Sequence, residues 1–79
     1  MSAAQNQYVV TVTGTKRNYY HPDFIMNIKR VRVIDNFKDI DYELREITKD
    51  LREVTSQKCE RFVSLDDMNK DKPREIISI

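Results

Sequence analysis

The amino-acid sequence predicts a single small α+β domain, in which an antiparallel sheet of three or four strands packs against one long amphipathic helix. Two valine-rich segments with alternating apolar positions, residues 8–13 and 24–34, predict the sheet. The helix is predicted by apolar residues that recur at spacings of three and four within residues 35–57. This apolar stripe comprises Phe37, Ile40, Leu44, Ile47, Leu51 and Val54. A chain of 79 residues is long enough for one such domain.

The two strands at the start of the domain differ in how cleanly they alternate. The first covers residues 8–13 and is expected to end at Gly14, the only glycine. In the second strand, residues 24–34, apolar side chains occupy even positions before Lys29 and odd positions after Arg30. A β-bulge between these two residues would bring both sets onto one face of the sheet.

The predicted helix begins at Asp35 or Asn36, both of which are favourable N-cap residues. Asp39 and Asp41 follow in the first turns, where carboxylates interact well with the positive end of the helix dipole. The helix is expected to end before Lys58, which would otherwise fall on the apolar stripe. Because the opposite face is charged, the stripe must be buried, and we expect it to lie across the sheet of the same chain.

The rest of the chain completes a ββαβ(β) order. A third strand is predicted at residues 61–65 and a fourth at 76–79, joined by a polar turn. Residues 1–7 are expected to be a disordered leader, and residues 8–79 form the domain. The predicted core comprises Val10, Val12, Phe24, Met26, Ile28, Val31, Val33, Phe37, Ile40, Leu44, Ile47, Leu51, Val54, Val63 and Leu65.

The composition excludes most kinds of catalytic and metal site. One histidine and one cysteine, His21 and Cys59, are too few for a zinc site built by this chain alone. A single glycine excludes a phosphate-binding or dinucleotide-binding loop, which needs several. We therefore expect no catalytic residues, no metal, no cofactor and no enzymatic activity. A lone cysteine and the lack of a long apolar segment predict a soluble cytoplasmic protein with no membrane contact.

Charge is distributed unevenly along the chain. Residues 1–34 contain five basic residues and one acidic residue, whereas residues 35–79 contain nine basic and twelve acidic residues. The basic half also holds aromatic side chains, and the combination could bind a protein or stack on bases and neutralise phosphates. The candidate binding residues of this basic and aromatic group are Lys16, Arg17, Tyr19, Tyr20, His21, Lys29, Arg30 and Arg32. The alternative interpretation is a solvated strand face with two tyrosines at the edge of the domain.

Tyr42 is the other candidate contact residue. It lies on the polar face of the predicted helix, among Glu43, Arg45, Glu46 and Lys49. A tyrosine in such surroundings is either a scattered surface residue or a binding contact. The stripe on the other side of the helix has heptad spacing over about two and a half heptads, which leaves homodimerisation as a further expectation.

In its size, its ββαβ layout, its lack of catalytic groups and its charged surface, the chain resembles small phage-encoded proteins that bind and inhibit a host enzyme. No motif carries functional residues over from that resemblance. We expect a non-enzymatic protein-binding module, an inhibitor or adaptor of a larger host enzyme or nucleoprotein complex. The alternative is a small nucleic-acid-binding protein that uses the region from Lys16 to Arg32.

Overall fold

Four antiparallel strands form one sheet in the computed structural model, which describes residues 6–21 and 23–79. The strands are β1 (Gln7–Arg17), β2 (Ile25–Ile34), β3 (Glu53–Phe62) and β4 (Glu75–Ile77). They lie in the order β2-β1-β3-β4, and every neighbouring pair is antiparallel. The predicted α+β class with an antiparallel sheet of three or four strands is therefore confirmed. The sheet has four strands, with β2 and β4 at its edges.

One helix covers one face of this sheet. α1 (Ile40–Thr48) follows a 3-10 turn (Phe37–Asp39) and connects β2 to β3. Its residues Ile40 and Ile47 are buried in one cluster with Val10 and Val12 of β1, neither of which has any exposed surface. We call this side of the sheet the covered face and the other side the open face. Even-numbered residues of β1 and β2 lie on the covered face, because strand side chains alternate.

The prediction of one long amphipathic helix over residues 35–57 is wrong. Helical structure covers only residues 37–48, and the Leu51 N–H donates to the Thr48 carbonyl at 3.0 Å in the turn that follows. Val54 belongs to β3, although its spacing continues the helical stripe. β1 needs a second neighbour to satisfy its backbone groups, and the β-branched residues after position 53 supply that strand. Long-range pairing therefore overrides the helical spacing of the last two stripe residues.

The predicted bulge within β2 is also wrong. β1 and β2 pair without interruption from Tyr8 opposite Ile34 to Arg17 opposite Ile25. The register shifts instead in the pairing of β1 with β3, between Thr13 and Gly14, and β1 continues through that glycine rather than ending there. Without a bulge in β2, the apolar residues on either side of Lys29 point to opposite faces of the sheet.

The core is smaller than the sequence predicts. Burial is confirmed for Val10, Val12, Ile40 and Ile47. Four predicted core residues are half-buried: Ile28, Leu44, Leu51 and Val63. Seven are exposed, and their prediction as core is wrong: Phe24, Met26, Val31, Val33, Phe37, Val54 and Leu65. The buried apolar residues that lie outside the predicted core list are Ile34, Cys59 and Phe62. The errors at Val31, Val33 and Ile34 follow from the mistaken phase of β2, and the error at Val54 follows from the mistaken extent of the helix.

A second short helix follows β3. The strand ends at Phe62 rather than continuing to residue 65, and α2 (Leu65–Asn69) occupies part of the predicted turn. The Ser64 hydroxyl caps α2 by accepting from the Asp67 N–H at 3.1 Å. Phe62 and Met68 line one shallow groove on the open face. The C-terminal segment then returns to the sheet as the edge strand β4.

Two predictions about the chain as a whole concern its leader and the membrane. Residues 1–5 of the predicted leader lie outside the described residues, and Gln7 already belongs to β1. Neither helix in the described part of the chain has the length and apolarity needed to cross a bilayer.

Candidate functional site

The turn between β1 and β2 projects beyond the rest of the sheet. The pairing of β1 with β3 stops at Thr15, so the last residues of β1 and the first of β2 pair only with each other. Asn18 organises the turn: its side-chain oxygen accepts from the backbone N–H of Tyr20 at 2.9 Å and of His21 at 3.1 Å. The Asn18 N–H donates to the Phe24 carbonyl at 3.0 Å, which closes the turn. We call residues 18–21, 23 and 24 the hairpin tip; Pro22 lies outside the described residues.

Aromatic side chains dominate the surface of the hairpin tip. Tyr19 is 88% exposed, Tyr20 83% and Phe24 66%. The two tyrosine rings meet edge to face with centroids 5.3 Å apart, and the His21 and Phe24 rings do so at 5.9 Å. Ile25, the first residue of β2, adds a half-exposed aliphatic side chain. Apolar groups are thus gathered on a hydrogen-bonded turn with nothing in the described chain covering them.

The predicted basic group divides into neutralised and unpaired cations. Lys16 and Arg30 converge on Asp50, which follows α1: Lys16 Nζ lies 3.1 Å from one carboxylate oxygen, and Arg30 reaches both oxygens. Arg30 also donates to the Ile47 carbonyl at 2.8 Å, which satisfies a backbone group at the end of α1. These bonds, chiefly the one from Arg30 and then that from Lys16, hold the pKa of Asp50 well below its usual range.

The other cations of the basic and aromatic group also divide into paired and unpaired residues. Arg32 lies 2.8 Å from a Glu43 oxygen on α1, on the covered face. Arg17 and Lys29 have no carboxylate within ion-pair distance among the described residues, and both belong to the open face. The structure therefore brings Lys16 and Arg30 together at Asp50, and it leaves Arg17 as the unpaired cation beside the hairpin tip.

The Asp50 cluster should make stability depend on pH. The pKa of Asp50 is lower in the folded than in the unfolded chain, so its stabilising effect is complete at neutral pH and is lost as the pH falls below about 4. We expect Asp50→Asn to lower the melting temperature at pH 7 and to lose less stability than the unmodified chain between pH 5 and pH 2.5. Thermal melts at several pH values measure this difference. Glu53→Gln removes an exposed carboxylate that has no described ion-pair partner and is the matched control.

Equal melting temperatures of the Asp50→Asn variant and the unmodified chain at pH 7, followed by parallel decreases on acidification, would contradict this role for the cluster.

Tyr42 stands apart from the hairpin tip. It is exposed on α1, and its hydroxyl donates to a Glu46 oxygen at 3.1 Å. That bond raises the pKa of Tyr42 above its ordinary value. Lys49 pairs with the same Glu46 at 3.0 Å. Tyr42 is therefore a member of a hydrogen-bonded row along the helix surface.

The two residues with the greatest chemical reactivity are not near each other. Cys59 is fully buried at the centre of β3, and burial raises the pKa of its thiol. His21 is exposed in the hairpin tip and packs against Phe24. No cluster of three or more potential metal ligands occurs in residues 6–21 and 23–79.

Sequence reasoning missed three residues that complete this site. Phe24 was predicted to lie in the core and Ile25 only to belong to the second strand, yet both extend the apolar surface of the hairpin tip. Asp50 was read as part of the long helix, but it neutralises two of the candidate cations. Pro22 marks a break between the two strands, but it does not determine whether the second strand begins at Phe24 or at Ile25. The convergence on Asp50 has no local signal, because it joins residues 20 and 34 positions apart.

No protein-family model matches this chain, and no curated protein or solved structure matches it either.

Proposed function

We propose that this chain is a non-enzymatic, cytoplasmic protein-binding module that contacts its partner through the hairpin tip. It would act as an inhibitor or adaptor of a larger enzyme or nucleoprotein complex, in the manner of the small phage-encoded proteins that it resembles. The observation that carries the proposal is the exposure of Tyr19, Tyr20 and Phe24 on one ordered turn. Tyrosine is enriched among the residues that dominate binding energy at protein interfaces.

The order of the turn supports a binding role for these side chains. Asn18 fixes the backbone on both sides of the tyrosines, so little conformational freedom remains to be lost on association. Tyrosine itself has few rotatable bonds and presents a large apolar ring with a polar end. Lys16 and Arg17, at the end of β1, would form part of the polar rim that surrounds such an apolar centre.

The electrostatics favour a protein over a nucleic acid as partner. Lys16 and Arg30 share Asp50, and Arg32 is paired with Glu43. A nucleic-acid site depends on cations that are available to phosphates, and neutralisation within the chain reduces their number. The exposed aromatic rings of the hairpin tip keep most of their surface available for a protein pocket.

The experiment is a pull-down from a bacterial lysate with the tagged chain, with and without nuclease. We expect a protein to be retained after nuclease treatment. Its affinity for the purified chain should fall at least about tenfold in the Tyr20→Ala and Phe24→Ala variants. Tyr42→Ala is the matched control, since it removes an exposed tyrosine from the helix and leaves the hairpin tip intact. Calorimetric titration of the retained protein measures all three affinities.

Three outcomes would overturn the proposal. Recovery of nucleic acid, with every protein lost after nuclease, would assign the basic and aromatic group to nucleic-acid binding. A steep loss of affinity between about 50 and 200 mM salt would point the same way. Unchanged affinity in the tip variants together with a loss in Tyr42→Ala would move the contact to the outer surface of α1.

A further inference from the structure

β2 is a long edge strand whose outer side pairs with nothing in the described chain. It spans ten residues, and its only neighbour in the sheet is β1. An edge of this length presents a row of unpaired backbone donors and acceptors, which is a template for another strand. The edge is also apolar in part: Val31 is 56% exposed and Val33 48%, both on the open face.

A second copy of β2 can pair with this edge in only a few registers. Antiparallel pairing of two identical strands has its two-fold axis perpendicular to the sheet, so each residue faces one from the same side. Each allowed register is therefore centred on a single residue. Centring on Arg30 places Lys29 opposite Val31, and centring on Val31 places Lys29 opposite Val33. Both leave a cation facing a valine on the open face.

The register centred on Arg32 matches residues by type. On the open face, Val31 of each copy faces Val33 of the other. The next pair outward joins Lys29 of one copy to Asp35 of the other, an opposite-charge pair that occurs twice by symmetry. Asp35 is exposed directly after β2, and Gln7 of β1 donates to its carboxylate at 3.4 Å, which places that side chain towards the open face.

We propose that the chain forms a homodimer through antiparallel β2 pairing centred on Arg32, which joins two four-stranded sheets into one of eight strands. The two valine pairs supply the apolar contact, and the two pairs between Lys29 and Asp35 set the register. Residues 29–35 take part, so the hairpin tips stay outside the pairing and lie at opposite ends of the joined sheet. The dimer stands independently of the function proposed for the tip.

Arg32 meets its own copy on the two-fold axis of this dimer, on the covered face. Two facing arginines would repel each other if they were bare. Each is held 2.8 Å from Glu43 of its own α1, which neutralises the pair. The salt bridge between strand and helix therefore permits the register that the open face favours.

Sedimentation velocity of the full chain over a range of concentrations tests the pairing. We expect a concentration-dependent dimer whose Kd rises at least about fivefold in Lys29→Glu and in Asp35→Lys, since each places like charges opposite one another twice. The double variant Lys29→Glu with Asp35→Lys restores the opposite charges and should recover most of the lost affinity. Lys72→Glu, an equal charge change on the exposed turn before β4, is the matched control.

Weakened dimerisation in both single variants, with the affinity restored in the double variant, establishes the register. A chain that stays monomeric at the highest concentration overturns the proposal, and so does a dimer that Lys29→Glu leaves unchanged. All the substituted residues are exposed, and circular dichroism of each variant separates loss of pairing from loss of folding.

Discussion

Val12→Asp is expected to leave the chain unfolded at room temperature. Val12 is fully buried in the central strand β1, within the cluster that α1 covers. A carboxylate buried there without a partner costs several kcal/mol. A core in a chain of this size contributes only about 3–5 kcal/mol in total. Amide proton dispersion in a two-dimensional NMR spectrum measures the result, and the variant should show the narrow range of an unfolded chain.

Val31→Asp is the matched control for that substitution. The same residue type changes in the neighbouring strand, but Val31 is exposed on the open face and the new charge stays in water. At low micromolar concentration this control should retain a dispersed spectrum. A folded Val12→Asp variant together with an unfolded Val31→Asp variant would show that the covered face has been assigned to the wrong side of the sheet.

Gly14→Ala should be the next most damaging change, although it adds only one methyl group. A Cβ at this position would meet the Glu53 carbonyl oxygen and the Leu51 side chain. The carbonyl belongs to the backbone of β3 beside the register shift, so it cannot move without disturbing the pairing. Overpacking of this kind costs about 1–3 kcal/mol, which corresponds to a fall in melting temperature of roughly 5–20 °C for a small domain.

The direction of the change in melting temperature distinguishes a crowded Gly14 from an open one. Glycine in an ordinary strand interior is unfavourable, so alanine at an open position would stabilise the chain by roughly 0.5–1 kcal/mol. Thr11→Ala, also in β1, provides the control and should lower the melting temperature only slightly. A melting temperature that rises in Gly14→Ala would show that β3 does not approach β1 as closely as the structure places it.

The ion pairs of the basic residues are one feature that the local sequence does not predict. The sequence identifies Lys16, Arg30 and Arg32 as cations, but their partners Asp50 and Glu43 lie at least eleven positions away. Only the packing of α1 on the sheet brings these groups within hydrogen-bonding distance. The sequence predicted a broad basic and aromatic site. In the structure the candidate site is the aromatic hairpin tip, with Arg17 as the unpaired cation beside it among the described residues.

The sequence by itself determined the fold class and the positions of the first two strands. Alternating β-branched residues identified β1 and β2 because strand propensity and burial act on the same local pattern. Pro22 separates these two strand segments in the sequence, because a proline interrupts a strand.

Only the tertiary structure decided where α1 ends, which face each half of β2 presents and which apolar residues are buried. Leu51 and Val54 continue the helical spacing, yet the chain turns after Thr48 and enters β3. The physical reason is that β1 requires a hydrogen-bonded strand on each side. Its second partner is β3, whose residues lie 38 to 55 positions further along the chain than the β1 residues they pair with. That requirement outweighs a helical preference of a few tenths of a kcal/mol per residue.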